Sequence, residues 1–117
     1  FQDKHPLDIE FTNCCQEDHG DFGTRACAFK FHGKWDEEMN KYYKLVMSIM
    51  NKNEKKTLRR SQKKWTKYRD LEFNFSDNLY NMEGTMYQRL NAQNKMNIVR
   101  KRALELKSYY WIRTEEN

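Results

Sequence analysis

The stretch EKKTLRRSQKKWTKYRDLEF, residues 54–73, decides the predicted fold. Its apolar residues recur at helical spacing, so one face of the helix, including Leu58 and Trp65, is expected to face a core. Gln62 and Arg69 fall on the same face, where they lose hydration unless polar partners are supplied. We therefore expect a neighbouring segment to provide partners for these two side chains.

A second helix is predicted directly before this stretch, from Trp35 to Met50, with polar residues 51–53 forming a short reversal. The two helices then form an antiparallel hairpin. Because both rise about 1.5 Å per residue, positions whose numbers sum to about 105 lie level. This register pairs Asp36 with Arg69, Asn40 with Trp65, Tyr43 with Gln62, and Met47 with Leu58. We expect an Asp36–Arg69 ion pair.

A third, long helix is predicted from Thr85 to about Trp111, after a loop at residues 74–84 that is rich in turn-forming residues. An apolar stripe on this helix could close the hairpin into a three-helix arrangement. The stripe consists of Ala92, Met96, Val99, Ala103, Leu106 and Tyr110. The predicted fold class is all-α, an antiparallel helical hairpin plus a long C-terminal helix.

The N-terminal quarter lacks a sustained period and is predicted to be an arm clipped to the helices by a disulfide. Residues 1–13 are expected to be extended and residues 15–23 to form a loop. Thr24 could cap a short helix that Gly33 ends. The predicted division is an arm at 1–23, one helical domain at 24–113 and a tail at 114–117.

Length and composition agree with one small helical domain. The chain has 117 residues, 15% aromatic residues, four Gly and one Pro, which is too few turn formers for a turn-dense β fold. No segment approaches the roughly 18 apolar residues of a membrane span. The sequence opens on Phe1 without a signal peptide, so we expect a mature or trimmed form.

Positive charge is concentrated on one predicted helix. Residues 52–70 hold nine Lys or Arg against two acids, whereas residues 1–38 hold nine acids against four Lys or Arg. The basic face consists of Lys55, Lys56, Arg59, Arg60, Lys63, Lys64 and Lys67. We interpret it as a solvated outer face. The alternative is a binder of anionic glycan, lipid or nucleic acid, with nucleic acid the least favoured.

The three cysteines allow two hypotheses. In an oxidising compartment Cys27 would pair with Cys14 or Cys15 and leave one thiol over. The competing metal site would use Cys14, Cys15, His19, Cys27 and His32. Its spacing fits no standard zinc pattern, so we predict no metal.

No catalytic constellation is evident, so we predict a protein that is not an enzyme and has no cofactor. The histidines lack a nucleophile and an orienting acid at readable spacing, and no phosphate-binding loop occurs. The one polar cluster comprises Asp36, Asn40, Gln62, Trp65, Arg69 and Asp70. It is expected to be either a buried network fixing the hairpin register or a groove that grips a sugar or an acidic peptide.

The polar positions carry a family resemblance. The motifs are Cys27-Ala28, Asp36-Glu-Glu-Met-Asn40-x-x-Tyr43 and Leu58-x-x-Ser-Gln62-x-x-Trp65-x-x-x-Arg69-Asp70. They resemble the LprI-like domain, the lysozyme-inhibitor type of secreted and periplasmic bacterial proteins. Gly84-Thr85 is similar to the remnant of the family's turn, and Arg102 to Leu106 to its last helix.

The resemblance implies a periplasmic or secreted binding module that inhibits a lysozyme or binds a cell-envelope component. It implies a Cys15–Cys27 disulfide, with Cys14 as the other possible partner. The family's second cysteine pair falls on Phe73 and Asn94, so this clip is expected to close by packing alone. Animal-type lysozymes are basic, and the basic face would slow association with them.

Overall fold

The computed structural model describes residues 4–115, and the regular structure in this range is entirely helical. Its helices are α1 (Pro6–Glu17), α2 (Asp21–Ser48), α3 (Lys52–Leu79) and α4 (Thr85–Glu115). The all-α prediction is confirmed, but the predicted three-helix arrangement is wrong because the N-terminal segment forms a fourth helix. Within the described residues, no helix is long and apolar enough to cross a membrane.

The core lies mainly between α2 and α4, which pack against each other far more extensively than any other helix pair. From α2 it receives Phe31, Trp35 and Met39. From α4 it receives the predicted stripe: Ala92, Met96, Val99, Ala103 and Leu106 are buried, and Tyr110 is half-buried. The stripe is thus confirmed, but its main partner is α2 rather than the seam of an α2–α3 hairpin.

The expected extended arm is instead the helix α1, as far as its described residues show. His5 caps it, since its Nδ1 accepts a hydrogen bond from the backbone N–H of Leu7 at 3.0 Å, and Pro6 occupies the first turn. Leu7 and Phe11 pack on the core. Asp8 accepts two hydrogen bonds from Arg100 on α4, at 2.7 and 2.8 Å. These bonds hold the pKa of Asp8 below its ordinary value.

The disulfide joins Cys14 to Cys27, with the Cα atoms 6.1 Å apart. The favoured Cys15–Cys27 pairing is therefore wrong, and Cys15 is a free thiol. The reason is the helical form of α1. Cys14 lies seven residues after Leu7 and shares its core-facing side, whereas Cys15 is turned about 100° away from Cys14. The bond also removes two of the five residues of the competing metal hypothesis.

The helix α2 begins earlier and runs further than expected. It starts at Asp21 after Gly20, which has φ +97°, so Thr24 lies inside the helix rather than at its cap. A Cβ at Gly23 would overlap the carbonyl oxygen of Asp18, so the tight α1–α2 corner requires glycine there. Exposed Gly33 does not end α2, because the packing of its neighbours on α4 outweighs its cost of about 1 kcal/mol.

The predicted reversal between α2 and α3 is present. Asn51 caps α3 in a capping box with Glu54, each backbone N–H bonding the other side chain at 2.9 Å. The predicted register places residues level when their numbers sum to about 105, and one observed contact fits it. The rings of His32 and Phe73 lie edge to face with their centres 5.5 Å apart.

The helix α3 continues to Leu79, so the loop expected from residue 74 is confined to residues 80–84. Ser76 is buried and donates a hydrogen bond to Asn91 Oδ1, while Asn94 Nδ2 donates to Ser76 Oγ at 3.0 Å. At the place of the family's second disulfide we expected packing alone, but the structure has a hydrogen-bonded cluster between α3 and α4 there. Lys95 and Asp77 add an ion pair of 2.7 Å beside it.

Candidate binding groove between α2 and α3

An open groove of about 520 Å³ separates the facing sides of α2 and α3. Four of the six residues of the predicted polar cluster line it, namely Asp36, Asn40, Gln62 and Arg69. The remaining lining residues are Met39, Tyr43, Arg59, Lys63 and Thr66. The other two members of the cluster are not lining residues: Trp65 packs against the core, and Asp70 is exposed on α3.

The expected Asp36–Arg69 ion pair does not form, although both residues line the groove. Arg69 instead donates to Asp70 Oδ1 from Nε at 3.1 Å and from Nη2 at 2.9 Å. Its guanidinium carbon lies 5.5 Å from the centre of the Trp65 ring. The adjacent carboxylate and ring satisfy Arg69 within its own helix, so Asp36 remains separated from it across the groove.

Gln62 finds its partner on α4, a helix that was predicted but not expected to supply partners for the polar residues of α3. Its Oε1 accepts a hydrogen bond from Arg102 Nε at 2.9 Å, and its Nε2 lies 3.7 Å from Met39 Sδ. The expected pairing with Tyr43 is therefore wrong, because the amide contacts Met39, one turn earlier on α2.

Arg102 is the residue that sequence reasoning missed. It is only 5% exposed, and besides Gln62 it donates to Ser61 Oγ at 3.3 Å and to Glu105 Oε1 at 3.2 Å. A signal was present: Arg102 stands three residues after Val99 in the apolar stripe of α4. Like Gln62, Arg102 is a polar residue on an otherwise apolar helix face, and the two side chains hydrogen-bond to each other.

The groove carries an excess of positive charge. Arg59, Lys63 and Arg69 line it against the single carboxylate of Asp36. Within residues 4–115, Arg59 and Lys63 form no ion pair, and Asp36 accepts only a long hydrogen bond of 3.5 Å from Asn40. Such a surface suits a ligand that brings a carboxylate, because it supplies cationic donors that are not already paired.

His32 lies next to the groove, packed on Phe73. Burial lowers the pKa of the imidazole, Asp36 opposes the shift, and the charges of Arg69 and Lys95 add to it. The ring is therefore more readily kept neutral in the folded protein than in the unfolded chain, where the pKa is about 6.5.

We expect this shift to make folding stability depend on pH. Below about pH 6.5 the unfolded chain binds a proton at His32 before the folded protein does, so the free energy of unfolding falls as pH decreases toward the folded-state pKa. In His32→Gln, urea titrations from neutral to mildly acidic pH should show a shallower decline. The exposed His19→Gln is the control and should match the wild type. An unchanged slope in His32→Gln would contradict the prediction.

The predicted basic face is divided between two sides of α3. Arg59 and Lys63 line the groove, whereas Lys56, Arg60, Lys64 and Lys67 lie on the outer side of the helix. Lys55 is half-buried and the other six residues of the face are exposed. None of the seven forms an ion pair with any acid in the described part of the chain, whereas Glu54, Asp70 and Asp77 on the same helix all have cationic partners. Among the residues that the structure describes, the basic face therefore has no counter-ion, and its exposed members present their charge to solvent.

The fold and the groove define a small, disulfide-bonded, all-helical protein with an open polar cleft. The family model described as Lysozyme inhibitor LprI matches residues 12–106. The chain therefore belongs to the LprI lysozyme inhibitor family, and the resemblance read from the motifs is confirmed.

A solved structure of similar fold gives further support for the architecture alone. The chain is similar to the crystal structure of an uncharacterized protein from Burkholderia thailandensis, with a TM-score of 0.84 and 23% sequence identity. The match covers 92% of this chain and 54% of that one, so this chain spans about half the length of the solved protein. No curated protein matches this chain in sequence.

Proposed function

We propose that the protein is a non-enzymatic binding module of the lysozyme-inhibitor type that acts in the periplasm or as a secreted protein. Family membership supports the inhibitory role, and the Cys14–Cys27 disulfide supports an oxidising compartment. The proposed partner is a lysozyme or another protein of the cell envelope.

The positive groove between α2 and α3 is the observation that carries the proposal. Arg69 is held by Asp70 and by the Trp65 ring, so little side-chain freedom remains to be lost when a partner binds. Unpaired Lys63 stands six residues earlier on the same wall. We assign to this groove an acidic side chain of the partner, which would accept hydrogen bonds from these cations.

The chemistry of the lining supports binding rather than catalysis. Glycoside hydrolysis uses two carboxyl groups, and Asp36 is the single acid among the residues that line the groove. The hydroxyl of Thr66 donates to the backbone oxygen of Gln62 at 3.0 Å, and none of the lining residues is a histidine that could activate it. The groove thus offers donors and charge but no activated nucleophile.

Turbidity clearing of bacterial cell walls by lysozyme tests the proposal. Excess wild-type protein should slow clearing, and Lys63→Glu should weaken this inhibition by about tenfold or more, as expected for a central charged contact. Lys101→Glu, an exposed site on α4, is the matched control because it changes the net charge equally. Only a local contact distinguishes the two variants, since any effect of net charge on association is shared.

Full clearing by lysozymes of both animal and bacteriophage type in excess wild-type protein would overturn the inhibitory role. Equal weakening by Lys63→Glu and Lys101→Glu would keep inhibition but remove the groove as its site. Clearing by the protein alone would overturn the non-enzymatic assignment.

A second function is favoured by one specific observation: within residues 4–115, none of the seven residues of the basic face forms an ion pair. Lysozymes of the animal type are basic and would be repelled by the members of this face that lie outside the groove, so those members have a different partner. We propose that the basic face binds an anionic surface. Retention on immobilised heparin that falls steeply with added salt is the expected result.

A further inference from the structure

The C-terminal half of α3 exposes large apolar side chains in a row. Leu71 is 70% exposed and Phe75 is 57% exposed, and Tyr68 and Leu79 are each at least half exposed. Their spacing of three or four residues places them on one side of the helix. Single exposed apolar residues are common on proteins, but four on successive turns of one helix form a contiguous patch that indicates an interaction surface.

This apolar row continues the line of the basic face. Along the outer side of α3, positively charged residues at spacings of three or four lead directly into the apolar ones. We call this line the outer ridge of α3, and it consists of Lys56, Arg60, Lys64, Lys67, Leu71, Phe75 and Leu79. Since α3 has 28 residues, the helix is about 42 Å long, cationic at its beginning and apolar at its end.

Acidic residues do not interrupt the outer ridge. Glu54 is bound to Arg113 at 2.7 Å, and Asp77 is bound to Lys95 at 2.7 Å on the side that faces α4. Asp70 is bound to Arg69 on the groove side, and Glu72 is half-buried. The ridge is therefore positive where it is charged, and no carboxylate in the described part of the chain pairs with its cations.

We infer that the outer ridge docks on the surface of an anionic phospholipid bilayer. The unpaired cations complement the negative headgroups, and Leu71 and Phe75 enter the boundary between headgroups and acyl chains. The ridge is the exposed outer side of a long helix rather than a groove, which suits a flat partner better than a narrow peptide. A nucleic acid would be held by the cations but would leave the apolar half of the ridge uncovered. This inference rests on the second proposed function and names its ligand.

Co-sedimentation with vesicles tests the inference. The full chain should bind phosphatidylcholine vesicles that contain a quarter of phosphatidylglycerol, should not bind phosphatidylcholine alone, and should be released by salt. Replacing Arg60, Lys64 and Lys67 with Gln should lower the partition coefficient by about 100-fold, because each cation near an anionic surface contributes a factor of several. The matched triple Lys44, Lys101 and Lys107 to Gln removes the same charge from exposed sites on other helices and should have a much smaller effect.

The apolar half has its own variant. Leu71→Asn with Phe75→Asn should lower vesicle binding by about tenfold or more and leave heparin retention unchanged, because heparin offers charge without an acyl region. Phe22→Asn with Phe29→Asn, at exposed sites on α2, is the control and should bind as the wild type does. All four sites are exposed, so circular dichroism should show intact folds.

The outcomes separate this inference from the function on which it rests. Retention on heparin without vesicle binding would overturn the lipid assignment and keep anionic-surface binding. If the wild-type protein neither binds the vesicles nor is retained on heparin, both the lipid assignment and the proposed anionic-surface binding are overturned. Equal losses from the two Gln triples, or a loss of heparin retention in the Leu71 and Phe75 variant, would also overturn the assignment of lipid to the outer ridge.

Discussion

Replacing both Cys14 and Cys27 with serine is expected to lower the free energy of unfolding by about 3 kcal/mol. The bond closes a loop with a sequence separation of 13 residues, and in the reduced chain this loop gains conformational freedom when the protein unfolds. The loss should be felt first in α1. Without the bond, that helix is held by the Asp8–Arg100 ion pair and the packing of Leu7.

Urea unfolding gives the size of this effect, and amide hydrogen exchange locates it in residues 6–17. Cys15→Ser is the matched control and should leave stability within about 0.5 kcal/mol of the wild type, since Cys15 forms no disulfide. Alkylation of the native protein followed by non-reducing peptide mapping should label Cys15. Label on Cys14, or a large loss of stability in Cys15→Ser, would show that the other cysteine pairs with Cys27.

The sequence was most informative where a helix carries its own periodic pattern. The stripe of α4 could be predicted because six apolar residues at helical spacing, five of them buried, leave little choice of face. The reversal before α3 was also predicted, from polar residues 51–53, although the capping box of Asn51 and Glu54 that begins the helix was not. In both cases the information is local, so a single sequence is enough.

The helix α1 could not be predicted because what stabilises it is distant in the chain. Its apolar pattern spans only about two turns, which alone favours no stable helix in water. The ion pair that anchors it joins residues 92 positions apart, and the disulfide depends on which side of the helix faces α2. The choice of Cys15 failed for this reason, since spacing along the chain does not fix the direction of a side chain.

In the candidate groove, the sequence showed which polar side chains needed partners but did not identify those partners. That Gln62 and Arg69 needed partners followed from their position on an apolar face. Which partners they took depended on α4 and on the neighbouring Asp70, neither of which enters a register between α2 and α3. The predicted pairs all lay across one seam, whereas the real contacts leave that seam open as a groove.

Removing the guanidinium in Arg102→Ala is expected to lower the free energy of unfolding by about 2–3 kcal/mol. Arg102 bonds groups on two helices, and its loss leaves the oxygen of Gln62 without this donor in a part-buried position. The truncation also opens space next to Leu106, which adds a packing cost. Lys101→Ala, at the exposed neighbouring position, should change stability by less than about 0.5 kcal/mol.

A double-mutant cycle separates the hydrogen bond from the packing. If Arg102 serves Gln62, then Gln62→Ala combined with Arg102→Ala should cost less than the two single changes added together, with a coupling of about 1 kcal/mol. Glu105→Gln should have a small effect, because the Glu105 carboxylate is half exposed and its bond to Arg102 is weakened by solvent. Strict additivity between Gln62 and Arg102 would mean that the hydrogen bond between them does not contribute to holding α4 against α3. In that case the groove wall would not depend on this bond, and the polar face of α3 would need another explanation.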